Sequence, residues 1–509
     1  STADRIKSKE RVASSTSLFR SPPNEMGSLE EALLLKPPPS AEACHHDGCP
    51  GCVMDRRKAS LCGRIPSKEL FFVGATSLAA SLPITCLFPF MYFMVRDFSI
   101  AKSEEDIGAY AGFLAASYMI GRAITSIFWG IASDRLGRKP IIVFAMLSVV
   151  ILQTFFGLST KYWMAIASRL LLGSLNGLLG PIKAYAIEVC PTEHQALGIS
   201  IVSTMWGFGL VIGPGLGGYL SQPAEKYPQI FSKESVFGRF PYLLPCLAMS
   251  LFAAIVLISC IWLLETIHRH KVTENHSRIV KALSSRKSHW EPRKKSLLHN
   301  LPWISTMASS CLFGLHETAY SEILSIWAVS DRKYGGLSFS SGDIGEVLSM
   351  AGASLLVYQL FLYNRVNKAL GPLISSRIAS SLSIIVLATF PFMTYLSGAK
   401  LSFVLYSAAM VKSVLGITIS TGTCLLQNNV VRQDQRGTAN GTSTSVMSFF
   451  KAISPVGAGL VFSWAQKRQD ATFFPGDQVV FLMLILVQLC GLVSTFEPFL
   501  VLPPVDGCS

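Results

Sequence analysis

Ionisable side chains inside long apolar segments are the first chemically informative feature of this sequence. The ones expected to act are Arg169, His316, Glu317, Lys412 and Lys451, with Arg122, Glu322 and Glu346 at similar depth. A charge in the hydrocarbon core of a bilayer costs at least about 2.5–3.5 kcal/mol, so such residues usually face a cavity or an opposite charge. Histidine titrates near neutral pH. We expect His316 and Glu317 to carry a proton across the membrane, or else Glu317 to form a structural ion pair with Lys412 or Lys451.

A second group of reactive side chains lies near the start of the chain. It contains Cys44, His45, His46, Cys49 and Cys52. Thiolate and imidazole are ligands that suit zinc. Histidines between residues 268 and 299 could complete such a site, although the sequence has no second pair of closely spaced cysteines of this kind. Two interpretations stay open: a zinc ion held by the tail, or reduced thiols with no metal. No other cofactor is expected.

The composition indicates that most of the chain lies in a membrane. Half of the 509 residues are apolar, only 15% are charged against about 25% in soluble domains, and the mean hydropathy is +0.43. A soluble enzyme is therefore excluded as a class. The net charge of +13 is expected to reflect Lys and Arg in cytosolic loops beside anionic lipid, and not nucleic-acid binding. The sequence has no Gly-x4-Gly-Lys-Ser/Thr loop, so nucleotide hydrolysis is not the expected energy source.

Twelve segments are apolar and long enough to cross a bilayer as helices, which takes about 20 residues each. They are residues 69–95, 108–130, 140–159, 162–188, 196–220, 240–264, 302–329, 343–363, 373–396, 401–426, 438–464 and 478–502, numbered span 1 to span 12. The predicted domains are a largely disordered cytosolic tail (1–67), a six-helix bundle (68–264), a basic cytosolic linker with histidines (265–300), a second six-helix bundle (301–503) and a cytosolic C-terminus (504–509). The sequences that follow span 2 and span 8 are weakly similar to each other. This predicts an all-α membrane protein of two pseudo-repeated bundles around a cavity.

Lys and Arg are concentrated on one set of loops. The stretch before span 1, the loop after span 2 and the linker contain many of them, whereas the loop after span 1 contains Asp97, Glu104, Glu105 and Asp106. Because loops rich in Lys and Arg tend to stay in the cytosol, both termini and the linker are expected to be cytosolic.

The loop between spans 2 and 3 is dense in glycine and charge. Its defining residues are Gly130, Asp134, Arg135, Gly137, Arg138 and Lys139. Glycine permits a tight turn between helices. We expect Arg135 to bind Glu188 at the end of span 4, so that the cluster holds one conformation and breaks in the other. The alternative is a basic loop that only sets the topology.

Span 5 combines small residues with a proline. The residues are Gly209, Gly213, Pro214, Gly217 and Gly218. Small residues four apart let two helices approach closely, and proline removes a backbone hydrogen bond and bends the helix. The alternative is that span 5 is a generic packing helix.

These motifs carry a resemblance to a known family. The loop Gly130-x3-Asp134-Arg135-x-Gly137-Arg138-Lys139 matches the signature loop of the major facilitator superfamily, and the span 5 motif resembles that of its proton-driven antiporters. Arg169-x3-Gly173 is similar to the superfamily's span 4 arginine motif, which is associated with proton coupling, although Leu172 replaces a polar residue. The tail string Cys49-Pro50-Gly51-Cys52, the span 5 motif and the linker histidines together resemble the zinc-induced facilitator-like family of plant transporters.

The resemblance implies a secondary transporter, and not an enzyme, that serves zinc and iron homeostasis in the vacuolar or plasma membrane. Its expected substrates are small zwitterionic or anionic chelators such as nicotianamine or mugineic-acid phytosiderophores, exchanged for protons, with Lys412, Lys451 and Arg169 receiving carboxylates. Two alternatives remain: direct exchange of zinc or potassium for protons, and a metal sensor that keeps a transporter fold. The expected partners are substrate, protons and lipid. A monomer is compatible with this interpretation, and the oligomeric state stays open.

Overall fold

The computed structural model describes residues 49–60, 64–191, 194–266, 300–431, 436–468 and 476–500. All regular secondary structure within these ranges is helical. Tail residues Cys44, His45 and His46, linker residues 267–299 and the C-terminus from residue 501 lie outside the described residues. The predictions made for those segments therefore stay predictions.

The N-terminal half begins with a short helix, Pro50–Ser60, which we call the tail helix. Span 1 is formed by Ser67–Thr85 and Met91–Asp97, span 2 by Ile107–Leu136, span 3 by Arg138–Gly157, span 4 by Tyr162–Leu175 and Leu179–Val189, span 5 by Gln195–Leu220 and span 6 by Leu243–Ser259. Two short helical turns, Pro223–Lys226 and Val236–Arg239, lie between spans 5 and 6. Each predicted span of this half is present.

The C-terminal half repeats the six-span arrangement. Span 7 is Leu301–Val329, span 8 is Ser341–Val357 extended by a π-helical turn at Tyr358–Leu362, span 10 is Gly398–Asn429, span 11 is Arg436–Gln466 and span 12 is Gly476–Val493. Helix Tyr363–Thr389 contains the end of span 8 and most of span 9, and it changes direction at Gly371.

Length and hydropathy select eight membrane-spanning segments among the described residues. One of them, Ser341–Tyr395, holds both span 8 and span 9. The other three spans are the helices Ser67–Thr85 and Leu301–Val329 and the shorter apolar helix Gln478–Val493. The described chain thus contains the twelve predicted spans, and the predicted all-α membrane fold is confirmed.

Both halves turn between their second and third spans on a glycine with a left-handed backbone. Gly137 has a φ of 119° and Gly371 a φ of 74°, a region that residues with a side chain rarely enter. The two glycines occupy equivalent places in their halves. The weak sequence echo between the halves therefore corresponds to a repeated structural unit.

Span 4 was predicted to be continuous, but its helix is interrupted at residues 176–178. In a regular helix the carbonyl of Ser174 accepts the amide four residues later. Here it accepts from Trp129 Nε1 at 2.6 Å and from Thr125 Oγ1 at 2.8 Å. Gly177 leaves room for this approach, since a Cβ there would lie 2.1 Å from the Trp129 ring. The contact from span 2 explains the break in the helix.

One cluster of buried apolar side chains belongs to both halves. It includes Phe90 and Leu114 from the N-terminal half and Trp327 and Phe462 from the C-terminal half. This shared cluster lies near the connections between spans 1 and 2, 5 and 6, 7 and 8, and 11 and 12, which we call the distal end. The tail helix and the turns at the second and third spans of each half lie at the opposite, terminal end.

Candidate functional site

Two close helix crossings join the halves near the distal end. In the first, a Cβ on Gly112 of span 2 would lie 2.3 Å from the carbonyl oxygen of Pro455 in span 11. In the second, a Cβ on Gly218 of span 5 would lie 3.0 Å from the Cα of Gly345 in span 8. Small residues permit such backbone contact. The backbones of the two halves therefore touch at this end.

Charged side chains link the halves at the same end. Lys467 Nζ lies 2.6 Å from Oδ1 of Asp106, and Lys333 Nζ lies 3.2 Å from Oε2 of Glu104. The hydrogen bond to Asp106 raises the pKa of Lys467. Together with the glycine crossings, these pairs close the distal end.

A partly buried ion pair joins spans 7 and 10. Lys412 Nζ lies 2.9 Å from Oε2 of Glu317; the lysine side chain has no exposed surface, whereas 41% of the glutamate side chain is exposed. The same Nζ lies 4.5 Å from the centroid of the Tyr320 ring. Gly416, one turn beyond the lysine, makes room for the carboxylate, because a Cβ there would lie 2.8 Å from its oxygens. Since the distal end is closed, the exposed side of Glu317 is reached from the terminal end.

Further cations lie near this carboxylate. Lys451 of span 11 is half-buried, and its charge interacts with those of Glu317 and Arg122. Lys183 of span 4 is exposed, and its charge also interacts with that of Arg122. Sequence reasoning missed Lys183, although a lysine within a predicted span is the same signal that identified the other two. Glu317 therefore has Lys412 bonded to it and Lys451 close by, with Arg122 and Lys183 further along the same line of cations, which suits a ligand with carboxylates of its own.

His316 and Glu317 are adjacent in the sequence but lie on different sides of span 7. Neighbouring residues of a helix are separated by about 100° of rotation. His316 is buried in the C-terminal half and faces the backbone of Leu484 in span 12 without a well-formed hydrogen bond. Glu322 is also buried, and neither of its oxygens has a hydrogen-bond partner among the described residues. Glu317 is therefore partly exposed and reachable by a ligand, whereas His316 is buried on another side of the helix.

Arg169 lies inside the N-terminal half. It is buried, with its guanidinium carbon 5.1 Å from the ring centroid of Tyr118 and 5.4 Å from that of Phe156. Its Nη1 donates to the carbonyl of Pro83 at 2.8 Å, close to the break in span 1. These contacts hold span 4 against span 1. In this conformation Arg169 does not contact Glu317 or the cations near it.

The loop between spans 2 and 3 contacts the end of span 4. Arg138 Nη2 lies 3.0 Å from Oε1 of Glu188, whereas Arg135 is exposed. The predicted Arg135–Glu188 pair is therefore wrong, and Arg138 is the partner. Arg135 belongs to the last turn of span 2, while Arg138 follows the left-handed turn at Gly137 and starts span 3 beside span 4. The side chain of Asp134 lies outside the described part of the structure.

Glu265, just after span 6, completes this cluster. Its carboxylate accepts the backbone N–H groups of Arg138 at 3.0 Å and Lys139 at 3.1 Å. It therefore caps the first turn of span 3, where a negative charge is favourable. A Cβ on Gly137 would lie 2.4 Å from this carboxylate, whereas Gly130 has no atom within 4 Å of its Cβ position. Glu265 falls within the predicted linker, because nothing in the local sequence signals its contact with a helix more than a hundred residues earlier.

The small residues of span 5 serve two interfaces. Cβ atoms on Gly209, Gly213 and Gly217 would lie 1.8, 1.9 and 2.1 Å from atoms of Ser81, Thr85 and Cys86 in span 1. Pro214 and Gly218 face span 8 of the other half instead, and the carbonyl oxygen of Pro214 lies 2.7 Å from the Cβ position of Gly345. Span 5 therefore packs closely both within its own half and across to the other.

Part of the tail is ordered. Cys49 precedes the tail helix and Cys52 lies within it; both are buried, and Met54 packs into the core of the N-terminal half. Cys44, His45 and His46 lie outside the described residues. Within the described ranges, no group of three or more side chains is arranged to hold a metal ion. Zinc at the tail therefore stays a prediction.

Comparison with known proteins agrees with this arrangement. The sequence profile of the Major Facilitator Superfamily matches residues 73–464. The chain is 52% identical over 460 residues to Protein ZINC INDUCED FACILITATOR-LIKE 1 of Arabidopsis thaliana, covering 89% of this chain and 96% of that protein. It is 47% identical over 483 residues to Protein ZINC INDUCED FACILITATOR 1 of the same plant, covering 92% and 98%. A solved D-xylose-proton symporter shares the fold, with a TM-score of 0.64 at 12% identity, covering 84% of this chain and 97% of that chain.

Proposed function

Because the chain belongs to the major facilitator superfamily and is a secondary transporter related to the zinc-induced facilitators, we propose that it exchanges protons for a small metal chelator. The chelator is zwitterionic or anionic, of the nicotianamine or phytosiderophore type, and its transport serves zinc and iron homeostasis. The observation that carries the proposal is the Glu317–Lys412 ion pair, in which a fully buried ammonium has a carboxylate partner open to the cavity.

Exchange follows if proton and substrate compete for Glu317. An amino group of a zwitterionic chelator binds an ionised carboxylate, while the chelator's own carboxylates bind Lys451 and Arg122. A proton on Glu317 removes the first contact. It also leaves Lys412 without its counter-charge, which costs roughly 1–3 kcal/mol, since 41% of Glu317 is exposed, unless the halves rearrange. Because proton and chelator weaken each other's binding, the transporter carries one in each direction. Protons moving down a pH gradient therefore drive the chelator out of the less acidic compartment.

This assignment changes two of the substrate contacts expected from the sequence. Lys412 is already paired with Glu317, and Arg169 donates to the backbone of span 1. The substrate carboxylates are therefore assigned to Lys451, Arg122 and the exposed Lys183. Cytosolic termini are part of the proposal and are supported by the concentration of Lys and Arg on the loops of the terminal end. A vacuolar or plasma-membrane location is also part of it, and it rests on the similarity to the zinc-induced facilitators.

Uptake of labelled nicotianamine into sealed vesicles of known orientation, with and without an acidic lumen, tests this function. We expect uptake to require the pH gradient and to lose its pH dependence in Glu317→Gln, because an amide does not titrate. Glu234→Gln changes an exposed acid between spans 5 and 6 and serves as the matched control. Uptake by Glu317→Gln that still follows the pH gradient would contradict the role of this carboxylate.

Two other outcomes would change the substrate or the class. Proton-dependent movement of zinc or potassium, without nicotianamine, would keep the exchange mechanism and overturn the chelator. A chain that moves none of the three, yet whose removal alters the cell's response to zinc, would favour a metal sensor.

A further inference from the structure

We propose that Glu322 is a second proton-binding site, which takes up a proton from the distal side whenever the distal end closes. Glu322 lies in the distal part of span 7, beside residues such as Ala319, Ile323 and Ile326 that belong to the apolar cluster shared by the two halves. It is 1% exposed. Glu317, five residues earlier, is 41% exposed and is reached from the terminal end. The two carboxyl groups therefore form separate sites.

Nothing in the closed conformation compensates a negative charge on Glu322. Both of its carboxyl oxygens are buried without a hydrogen-bond partner among the described residues. No charged side chain of the described part of the chain acts on it. An ionised carboxylate that has neither a donor nor a cation is very costly in apolar surroundings, and such a group takes up a proton and becomes neutral. In the closed conformation Glu322 therefore carries a proton.

Span 11 covers the side of span 7 on which Glu322 lies. The carbonyl of Leu315 accepts from Ser454 Oγ of span 11 at 2.7 Å. Glu322 follows Leu315 by seven residues, about two helical turns, so it lies on the same side and nearer to the distal end. Beyond it, Gln466 Nε2 of span 11 donates to Ser330 Oγ at 3.0 Å. Span 11 therefore runs beside span 7 on both sides of Glu322.

The N-terminal half covers the same region, since Tyr92 of span 1 interacts with Ser330 at the end of span 7. Ionisable groups are present on the elements packed around Glu322, but none is bonded to its carboxyl group or acts on its charge. They are Glu317, Tyr320 and Lys412 towards span 10, His316 towards span 12, Lys451 on span 11, Tyr92 on span 1, and the pairs Glu104–Lys333 and Asp106–Lys467 at the distal end. Water, which enters when the halves separate, is what remains to solvate an ionised Glu322.

This burial links the proton on Glu322 to the conformation. When the distal end opens, the carboxyl group is hydrated, and a hydrated glutamate loses its proton above about pH 4.3. The closed conformation thus binds one proton more than the open one, and it loses stability as the pH rises above this value. For one proton, the ratio of closed to open molecules falls by about tenfold per pH unit until the closed conformation also loses the proton.

The proton on Glu322 is not transported. The carboxyl group is sealed from the cavity that contains Glu317, so a proton taken up on closing leaves on the same side when the distal end reopens. Its effect is to make closing depend on the pH of the distal compartment. The consequence for transport rests on the proposed proton exchange: an acidic distal compartment speeds the return of the empty transporter.

Infrared spectroscopy of the full chain in nanodiscs tests the bound proton without measuring transport. At neutral pH, exposed or paired carboxyl groups are ionised, whereas a protonated one shows the carbonyl stretch of a carboxylic acid. We expect this band in the unmodified chain and in Glu317→Gln, and we expect Glu322→Gln to lose it. A chain without proton-coupled chelator uptake that keeps the band would reject the proposed function and support the second site. A band that persists in Glu322→Gln would overturn the proposal.

Distances between spin labels on spans 2 and 11 test the link to closure. Between about pH 5 and pH 7, above the range of a hydrated glutamate, the closed fraction should fall as the pH rises. Glu322→Gln should stay closed throughout, because an amide resembles the protonated acid and does not titrate. Glu322→Asp should keep the dependence, as should Glu234→Gln, which changes an exposed acid between spans 5 and 6. An equally steep dependence in Glu322→Gln would assign it to another group and overturn the proposal.

Discussion

Lys467, after span 11, and Asp106, at the start of span 2, lie 2.6 Å apart across the boundary between the two halves. The same boundary contains the Glu104–Lys333 pair and the glycine crossings, so the described conformation is closed at the distal end. In an alternating-access cycle these contacts break when the distal end opens. They therefore contribute to the balance between the two conformations.

Asp106→Asn is expected to shift this balance towards opening of the distal end. Water screens this exposed pair, so the ratio of the two conformations should change by at most about fivefold. Distances between spin labels on spans 2 and 11 measure that ratio. Glu105→Gln changes the neighbouring acid, which makes no ion pair across the boundary among the described contacts and acts on Lys467 only at longer range, so its effect should be smaller. A shift in Glu105→Gln as large as that in Asp106→Asn would argue against the pair.

Removing one partner of the Glu317–Lys412 pair should cost more stability than removing both. Glu317→Gln leaves the buried ammonium without its carboxylate. A fully buried pair loses about 3–5 kcal/mol in this way, and because 41% of Glu317 is exposed we expect roughly 1–3 kcal/mol. Adding Lys412→Met should restore most of the loss. Thermal unfolding of the purified protein measures both, and equal midpoints for the single and double variants would contradict this account.

Arg138→Gln and Arg135→Gln distinguish the observed partner of Glu188 from the one expected from the sequence. Arg138→Gln should slow transport about tenfold, because a hydrogen bond to a charged group contributes roughly 1.5 kcal/mol. Arg135→Gln should slow it less than about twofold, since Arg135 is exposed. Initial uptake rates, normalised to the amount of protein in the membrane, give the comparison. The opposite ranking would reject the assigned pair.

Two glycines of span 11 test the first helix crossing. A Cβ on Gly459 would lie 2.4 Å from the carbonyl oxygen of Gly108, whereas the Cβ position of Gly457 has no atom within 4 Å. Gly459→Ala should therefore separate spans 2 and 11 and destabilise the closed distal end by about 1–3 kcal/mol. Gly457→Ala on the same helix is the control. Crosslinking between cysteines placed across the crossing should fall only in Gly459→Ala, and an equal loss in both variants would contradict the packing.

Lys226 should make the closed conformation more stable as the pH rises. Its Nζ donates to Oγ of Ser341 in the other half at 2.6 Å, and burial lowers the pKa of Lys226 to about 8. When the distal end opens, the amine is hydrated and its pKa returns towards about 10.4. The closed conformation thus binds fewer protons, and it gains stability as the pH rises from about 8 to about 10. The spin-label distances should follow this change, and Lys226→Gln should remove it; persistence of the dependence in Lys226→Gln would assign it to another group.

The twelve spans, the repeated halves and the turns between second and third spans could all be predicted from the sequence. Insertion of a helix into a bilayer depends mainly on the hydropathy of its own segment, so most spans carry a local signal, whereas spans 1, 7 and 12 fall short of the length or hydropathy that selects the others. The left-handed turn at Gly137 is similarly local, because only glycine adopts that backbone at little cost. The sequence also identified Glu317 and Lys412 as unusual, since a charge inside an apolar segment is visible without any partner.

The partners of these residues were decided by the tertiary structure. Sequence alone left Glu317 with two candidate lysines, joined it to His316, and assigned Glu188 to Arg135 instead of Arg138. Each choice depends on how far a helix is rotated about its axis and on which helix lies beside it. Those quantities are set by close packing between distant segments, as where Gly112 meets Pro455 or Trp129 breaks span 4. Hydropathy determines which segments enter the membrane, and packing between them determines which charges meet there.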